Sequence, residues 1–284
     1  MEHAIRQLSQ SDFPELLHEI PDKPKELFVM GTLPSKDTKL LCVVGSRKYT
    51  PYGREVCEKL IADLRGYDVA IVSGLALGID SIAHRAALAA NIQTIAVPGS
   101  GLGEKVLYPA IHRGLAKQIV DSGGALLSEF QEDFQATPYS FPQRNRIMAG
   151  LSHVVLVIEA IEKSGTLITS RLALEYNRDV CTVPGSIFSK NSHGPHMLIR
   201  LGAVPVSSSK ELFEVLGIEQ SEKNVQDNTL SDTEQKVIKL LEIPMPRDEL
   251  IQKLNIPVQD ANVLLSSMEI KGLITERMGE LHVQ

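Results

Sequence analysis

From Lys39 to Val206, short apolar runs alternate with longer segments in which apolar residues recur every three or four positions. Short runs bounded by Gly or Pro predict buried strands, and the wider spacing predicts amphipathic helices. The predicted strands are 40–45, 69–73, 94–98, 125–129, 153–160, 180–184 and 203–206, and the predicted helices are 52–64, 79–90, 110–119, 145–151, 166–177 and 195–201. This alternation is typical of an α/β domain with a Rossmann-like, doubly wound and mostly parallel sheet.

The pattern changes on both sides of this region. Three prolines before residue 25 argue against one continuous helix, so we interpret the start as a lead-in that packs on the main domain. Polar residues dominate 219–229 and predict a linker. Beyond it, Ser231 and Glu234 form a capping-box pattern, followed by three helical segments and a hairpin-like tail. The predicted organisation is a short N-terminal lead-in at 1–31, a Rossmann-like domain at 32–217, a linker at 218–229 and a winged-helix domain at 230–284.

Composition limits the compartment and the mode of binding. The chain has 284 residues, 43% of them hydrophobic, which is enough for one sizeable core and a smaller module. It shows neither a run of about 18 apolar residues nor a charged-then-apolar leader, so we expect a cytoplasmic protein without membrane insertion. Cys42, Cys57 and Cys181 are far apart, which fits reduced, structural thiols. With a net charge of −6, any nucleic-acid binding must depend on a local basic pocket.

The strongest candidate chemistry flanks the predicted strand 153–160. Arg144, Asn145 and Arg146 precede it, and the small-residue turn Lys163-Ser164-Gly165-Thr166 follows it and opens a helix. Ligands of open α/β sheets bind at the carboxyl ends of strands, where helix N-termini attract anions. The segment therefore predicts an anion site. The alternative is that Ser164 to Thr166 only cap the helix.

Other strand ends carry similar small residues. Gly45-Ser46-Arg47 ends the first predicted strand, where the rigid fork of an arginine can hold a phosphate through two hydrogen bonds. Phe141 comes just before the basic pair, where its ring can stack under a base. The chain contains neither a full Gly-x-Gly-x-x-Gly fingerprint nor a Gly-Lys-Ser/Thr P-loop. Dinucleotide binding and ATP hydrolysis by those devices are therefore not expected.

Four motifs, spaced in order along the chain, resemble the bacterial DNA-processing family DprA, also called Smf. They are residues 43–47, 73–80, 141–152 and 163–169, and the resemblance extends over about 13–206 and to a C-terminal winged helix. It implies a non-enzymatic protein that binds single-stranded DNA, protects incoming DNA in natural transformation and loads the RecA recombinase onto it. It also implies a homodimer and no cofactor.

The resemblance also implies the site. Single-stranded DNA would bind Gly45, Ser46, Arg47, Phe141, Arg144, Asn145, Arg146, Lys163, Ser164, Gly165, Thr166 and Thr169, with no catalytic residue and no metal. The dimer interface would include His196 and Ile199. The sequence departs from the family at Tyr108-Pro109, which is followed by His112 where the family commonly has asparagine.

Structural roles compete with binding at several of these positions. Arg144 and Arg146 are two residues apart and cannot share one helical face, so one of them is a candidate for an internal ion pair. Asn145 is a candidate helix cap, and Phe141 is a candidate core residue. For Arg47 the structural alternative is weakest, because a strand-end arginine beside Gly and Ser has little structural purpose.

Enzymatic alternatives are less well supported by the sequence. A nucleotide phosphoribohydrolase of the lysine-decarboxylase-like (LOG) group would carry a Pro-Gly-Gly-x-Gly-Thr turn, but here the turn Lys163-Ser164-Gly165-Thr166 lacks the double glycine. A metal site of His112, His193 and His196 lacks both helical spacing and clustered carboxylates. In the winged-helix segment the third helix is poor in arginine, which favours a protein-contact or regulatory role over duplex recognition.

Overall fold

The computed structural model describes residues 4–219, 231–241, 243–270, 272–277 and 279–283. The chain divides into two compact units, Met1–Glu219 and Gln220–Gln284. The predicted linker lies outside the described residues from position 220 onward, so its extent stays a prediction. No helix in the described ranges is both long and apolar enough to cross a membrane.

Within the described residues of the first unit, nine strands form one sheet. They are β1 (Ile5–Gln7), β2 (Phe28–Gly31), β3 (Lys39–Val44), β4 (Val69–Ser73), β5 (Thr94–Ala96), β6 (Ala125–Ser128), β7 (Val154–Val157), β8 (Asp179–Thr182) and β9 (Val204–Pro205). Their order is β1-β2-β6-β5-β4-β3-β7-β8-β9. Strands β3 to β9 are mutually parallel, whereas β2 pairs antiparallel with β6 and β1 antiparallel with β2. The predicted doubly wound, mostly parallel sheet is confirmed.

Helices cover both faces of this sheet. They are α1 (Pro51–Ala62), α2 (Ile79–Ala89), α3 (Arg113–Asp121), α4 (Ser140–Leu151), α5 (Gly165–Glu175), α6 (His193–Arg200) and α7 (Ser209–Leu216). Along β3, Leu40, Cys42 and Val44 belong to the core under α4 and α5, while Leu41 and Val43 belong to the core under α1 and α2. Because side chains alternate across a strand, an unbroken apolar run is what a strand covered on both faces requires.

Several boundaries differ from the predicted ones. The helix predicted at 145–151 begins at Ser140, because Pro142 falls in the first turn, where its missing N–H is tolerated. The helix predicted at 110–119 consists of a 3-10 turn, Ala110–His112, and then α3. Strands β1 and β2 and helix α7 were not predicted. The two strands are short, and pairing with the distant β6 holds β2 in the sheet.

The second unit has the predicted arrangement of three helices and a hairpin. Helices α8 (Asp232–Leu240), α9 (Arg247–Leu254) and α10 (Val258–Ile270) precede strands β10 (Ile274–Arg277) and β11 (Glu280–Val283). Ser231 and Glu234 form the predicted capping box. Val237, Leu250 and Leu281 are fully buried members of its core.

A neutral histidine is buried between α2 and β5. His84 has no solvent exposure, and its Nδ1 lies 2.8 Å from the Thr94 Oγ1. The Thr94 hydroxyl donates its only proton to the Ile71 carbonyl at 2.9 Å, so Nδ1–H must donate to Thr94. Burial lowers the pKa of His84 to about 3.

This shift predicts a pH-dependent stability. Between pH 7 and 5 the unfolded chain protonates His84 near its ordinary pKa of about 6.5, whereas the folded chain does not. The free energy of unfolding should fall with decreasing pH, and His84 should contribute about 2 kcal/mol of that loss by pH 5. His84→Asn, which keeps a donor near Thr94, should reduce this dependence. Urea unfolding can be followed by tyrosine fluorescence, because all six tyrosines lie in the first unit and the chain has no Trp. Parallel pH profiles for the two proteins would contradict the assignment.

Candidate functional site

A cleft of about 710 Å³ opens at the carboxyl ends of β3 and β7, beside the N-terminal turns of α4 and α5. Eleven of the twelve residues predicted for the site line it: Gly45, Ser46, Arg47, Phe141, Arg144, Asn145, Lys163, Ser164, Gly165, Thr166 and Thr169. They come from three separate segments. All three lie at the same edge of the sheet, because two of them follow the carboxyl ends of β3 and β7 and the third is the start of α4, which follows the carboxyl end of the parallel strand β6.

The turn before α5 both caps the helix and borders the cleft. The Ser164 hydroxyl accepts a hydrogen bond from the Thr166 N–H at 3.2 Å, so the capping alternative holds as well. The Thr166 hydroxyl donates to the Gly45 carbonyl at 3.1 Å, and the Asn145 amide donates to the Gly165 carbonyl at 3.4 Å. Space around Gly165 is open. These bonds fix a helix N-terminus, with its partial positive charge, at the cleft wall.

Arg47 lies on a loop that packs tightly onto α2. A Cβ on Gly45 would lie 2.7 Å from the Ile79 side chain, and a Cβ on Gly78, whose φ is +85°, would lie 2.3 Å from the Ser46 carbonyl oxygen. The Ile79 N–H also donates to that carbonyl at 3.2 Å. The backbone of the Arg47 loop is therefore held, while the side chain itself is exposed.

The guanidinium of Arg47 is available to a ligand. Its central carbon lies 5.7 Å from the centre of the Phe141 ring, a cation–π contact. No carboxylate of the described residues lies within ion-pair distance of it. The Phe141 ring is half-buried and packs over Gly99, where a Cβ would approach it to 2.6 Å. A cation and an aromatic ring therefore stand together at the cleft.

Arg144 forms a buried charge beneath the cleft. It is 4% exposed, and its Nη1 donates to the Val97 carbonyl at 2.5 Å. Asp80 is 7% exposed and accepts from the Gly74 N–H at 3.1 Å. Burial raises the pKa of the Asp80 carboxyl, and the Arg144 charge opposes that rise. Burial likewise lowers the pKa of Arg144, opposed by Asp80. The two charges compensate each other, so Arg144 contributes less free charge than Arg47.

Arg146 does not line the cleft, contrary to the prediction. Its side chain is 12% exposed and forms ion pairs with Glu129 and Asp22. Burial raises the pKa of Glu129, and the Arg146 charge opposes that rise. Positions two apart on a helix face different sides, so α4 directs Arg144 to the cleft and Arg146 away from it. Arg146 is the internal ion-pair partner that the sequence left open.

The N-terminal segment is held against the outer face of α4. The Tyr176 hydroxyl donates to the Asp22 carboxylate at 2.6 Å. Arg178 donates to the Glu19 carboxylate at 2.6 Å and to the Leu16 carbonyl at 2.8 Å. Ile20 and Leu17 pack over Gly150 so closely that a Cβ there would lie 2.8 Å from Ile20. This segment, which the sequence analysis describes as a lead-in packing on the main domain, supports helix α4.

Two residues that the sequence pattern did not indicate, Glu159 and Asn191, hold the Arg47 loop. Glu159 is 3% exposed and accepts from the Thr50 N–H at 2.9 Å, from the Thr50 hydroxyl at 2.5 Å and from the Asn191 amide at 3.2 Å. Asn191 also donates to the Lys48 carbonyl at 2.8 Å and lines the cleft. The pair fixes the far end of the Arg47 loop. The sequence does contain one indication of this role, because Glu159 is an acidic residue directly after an apolar strand run.

Two of the three histidines considered for a metal, His112 and His196, have backbone partners, and His193 lies 3.9 Å from a Glu162 carboxylate oxygen. His112 Nδ1 lies 2.7 Å from the Leu75 carbonyl, and His196 Nε2 lies 3.0 Å from the Gly185 carbonyl. Among the described residues, no group of three or more His, Cys, Asp or Glu is placed to hold a metal ion. His196 and Ile199 are both half-buried on α6 of this single chain. Their role in a dimer stays a prediction.

Comparison with known proteins assigns the chain to one family. The family model of DNA recombination-mediator protein A matches residues 4–217, and the model of the DprA winged helix domain matches residues 221–280. The chain belongs to the DprA family. Both the mostly parallel sheet and the C-terminal winged helix are thereby accounted for.

Individual DprA relatives are similar over much of the chain. Protein Smf of Escherichia coli strain K12 is 44% identical over 218 residues, which are 75% of this chain and 57% of that protein. The chain thus spans little more than half of that relative's length. The X-ray structure of DprA from Streptococcus pneumoniae has a TM-score of 0.67 at 40% identity, covering 74% of each chain. DprA from Helicobacter pylori has a TM-score of 0.67 at 30% identity, covering 76% of this chain and 96% of that one. The structure of the latter concerns its single-stranded DNA binding mode.

The ion pair of Arg146 should contribute strongly to stability. Arg146→Ala leaves the buried Glu129 carboxylate without its cation, which should lower the free energy of unfolding of the first unit by about 3 kcal/mol. Arg54→Ala is the matched control, because Arg54 pairs with Glu58 on the exposed surface of α1. The control should change stability by no more than about 0.5 kcal/mol. Urea unfolding followed by tyrosine fluorescence measures both free energies. Equal losses of stability in the two variants would contradict a stabilising role for the buried Arg146–Glu129 ion pair.

Proposed function

We propose that this chain binds single-stranded DNA without catalysing a reaction, protects incoming DNA in natural transformation and loads the RecA recombinase onto it as a homodimer. One observation carries the binding proposal. Arg47 is exposed, is free of ion-pair partners among the described residues and stands over the Phe141 ring at the mouth of the cleft. A cation beside an aromatic ring matches the two parts of a nucleotide, its phosphate and its base.

The cleft offers separate positions for these parts. Arg47 can hold a phosphate through two parallel hydrogen bonds, and the N-terminus of α5 attracts a second anionic oxygen nearby. Phe141 offers a stacking surface, and every base has a face that can stack. A paired base is already stacked within its duplex and cannot settle on a half-buried ring. These features favour single strands over duplexes and give little base preference.

Local charge makes binding possible in an acidic protein. The net charge is −6, but Arg47, Lys48 and Lys163 all line the cleft. The acidic residues near them are engaged, since Asp80 is buried near Arg144 and Glu159 accepts bonds from Thr50 and Asn191. With two or three phosphates neutralised, the logarithm of affinity should fall with the logarithm of salt concentration with a slope of about −1.4 to −2.1.

The choice of ligand is supported by a relative in the family, and the choice of a protein partner is supported by the charge of the second unit. The H. pylori relative supports single-stranded DNA as the ligand. Residues 230–284 contain six Lys or Arg and nine Asp or Glu, a balance of −3 that favours contact with a protein such as RecA over contact with duplex DNA. A dimer formed through the α6 face, with His196 and Ile199, would offer two clefts to one strand, which raises avidity without any new contact.

The binding site can be tested by removing Arg47. Arg47→Ala should weaken binding to a fluorescently labelled poly-dT strand about 10- to 100-fold, because a charge-assisted phosphate contact is lost. It should also make the salt slope shallower by about 0.7. Fluorescence anisotropy measures both quantities. Arg85→Ala, on the exposed part of α2 outside the cleft, removes the same charge and should leave affinity unchanged.

Two results would overturn this site and this ligand. Unchanged affinity of Arg47→Ala for the strand, at both low and high salt, would show that the cleft is not the DNA-binding site. Equal affinity of the wild-type protein for the duplex counterpart would remove the preference for single strands. If no DNA binds and the protein instead releases the base from nucleoside monophosphates, the phosphoribohydrolase alternative would replace the proposal.

A further inference from the structure

The aromatic surface of the cleft continues beyond Phe141. The ring centre of Tyr108 lies 5.5 Å from that of Phe141, with an angle of 56° between the ring planes. Between them and the β4 loop is a small depression of about 30 Å³, which shares walls with the main cleft. Its walls include Arg47, Leu77, Tyr108, Phe141 and Arg144. The depression is too small to enclose a base, so a base at this point must lie on its exposed rim.

Tyr108 is held rigidly by its backbone. The Tyr108 N–H donates to the Ser100 hydroxyl at 3.1 Å, and Ser100 is fully buried. The Ser100 carbonyl in turn accepts from the Ser128 hydroxyl at 2.8 Å, at the end of β6. A proline follows, which restricts the backbone further. The loop therefore presents the ring from a fixed position at the carboxyl edge of the sheet.

The side chain of Tyr108 is left available by the fold. It is 48% exposed, and its hydroxyl makes no hydrogen bond with any described residue. Two other tyrosines of this unit use their hydroxyls in the structure: Tyr52 donates to the Pro184 carbonyl at 2.7 Å, and Tyr176 donates to Asp22. Burial and hydrogen bonding therefore do not explain a tyrosine here. An aromatic ligand would.

We propose that Tyr108 is a second base-stacking residue and that Phe141 and Tyr108 together take two consecutive unpaired bases. This inference rests on the proposed function, and it adds a position and a direction to it. A phosphate at Arg47 lies against the Phe141 ring, so the nucleotide on that ring has its neighbour next to Tyr108. The strand then runs along the sheet edge from the β7 loop toward the β5 loop. Proteins that bind single strands use successive aromatic rings in this way.

Three variants at one position test the ring itself. Tyr108→Leu keeps an apolar side chain but removes the aromatic face, and it should weaken binding to poly-dT about tenfold. Tyr108→Phe should restore the affinity that Tyr108→Leu loses, because the ring and not the hydroxyl stacks. Tyr108→Ala should lose at least as much as Tyr108→Leu. Circular dichroism melting of each variant checks that the first unit remains folded.

The control and the direct readout use other residues and a modified strand. Tyr52→Leu is matched in exposure, at 48%, but Tyr52 lies outside both cavities, so its affinity should stay unchanged. A poly-dT strand carrying 5-iodouracil should photo-crosslink to Tyr108 as well as to Phe141, as mapped by mass spectrometry of the peptides. A crosslink at Phe141 alone would overturn the second position.

Failure of this inference is distinguishable from failure of the proposed function. If Arg47→Ala loses binding while Tyr108→Leu binds like the wild-type protein, the cleft binds DNA and Tyr108 is not part of it. Loss in Tyr108→Leu that Tyr108→Phe does not restore would assign the hydroxyl, and not stacking, and would also overturn the inference. If the wild-type protein does not bind the strand at all, both proposals fall together.

Discussion

One face of helix α4 lines the cleft, and the opposite face is anchored to the rest of the domain by an ion pair. The geometry of the cleft depends on that anchor. Residues two apart on a helix are separated by about 200° around its axis. Arg144 consequently reaches under the cleft toward Val97, while Arg146 reaches the other way to Glu129 and Asp22. The ion pair on the outer side is shielded from water on both partners, with side-chain exposures of 12% and 8%. It anchors the helix, and the anchored helix fixes Phe141, Arg144 and Asn145 at the cleft.

The proposed anion site lies in a chain of net charge −6, so the arrangement of the carboxylates near the cleft matters. Carboxylates near the cleft already accept hydrogen bonds: Glu159 from Thr50 and Asn191, and Asp80 from Gly74. These hydrogen bonds hold the carboxylates to the loops, and beside Asp80 the Arg144 cation opposes the negative charge. The basic groups in the open part of the cleft are exposed and keep their hydrogen-bonding capacity. Since exposed charges are screened within about 10 Å at 0.1 M salt, the distant acidic surface has little influence on this site.

Local pattern was sufficient for the elements whose two faces are both buried. Strand β4 was predicted at its observed bounds, Val69–Ser73, because its apolar run is bounded on both sides by polar or small residues. The start of α4 was missed by five residues, since its first turn contains Pro142 and lacks the apolar spacing on which the prediction relied. Strand β2 was missed because β6, about 100 residues away, stabilises it.

Residues that line the cleft could be predicted where the residue type and its place at a strand end are sufficient. They could not be predicted where a residue's role depends on a partner far away in the sequence. In an α/β fold, small residues and an arginine at a strand end lie where anions bind. The Gly45 to Arg47 and Lys163 to Thr166 segments could therefore be predicted to line the cleft. Arg146 has the same residue type as Arg144, and only the positions of Glu129 and Asp22 separate their roles. Glu159 looked like the end of a strand, whereas its function is set by Thr50, 109 residues earlier.

Hydrogen bonds between segments make the cleft rigid before any ligand arrives. Thr166 is tied to Gly45, Asn145 to Gly165, and Asn191 to Lys48. Side chains and loops that are already ordered lose little conformational entropy on binding, so a few contacts can yield useful affinity.

A rigid cleft also favours a ligand that can change its own conformation to fit. A single strand rotates freely about its backbone and can lay its bases on fixed rings, whereas a duplex would have to open first, which requires a few kcal/mol for each base removed from the stack. Rigidity of the protein and flexibility of the strand would together produce the proposed preference for single strands.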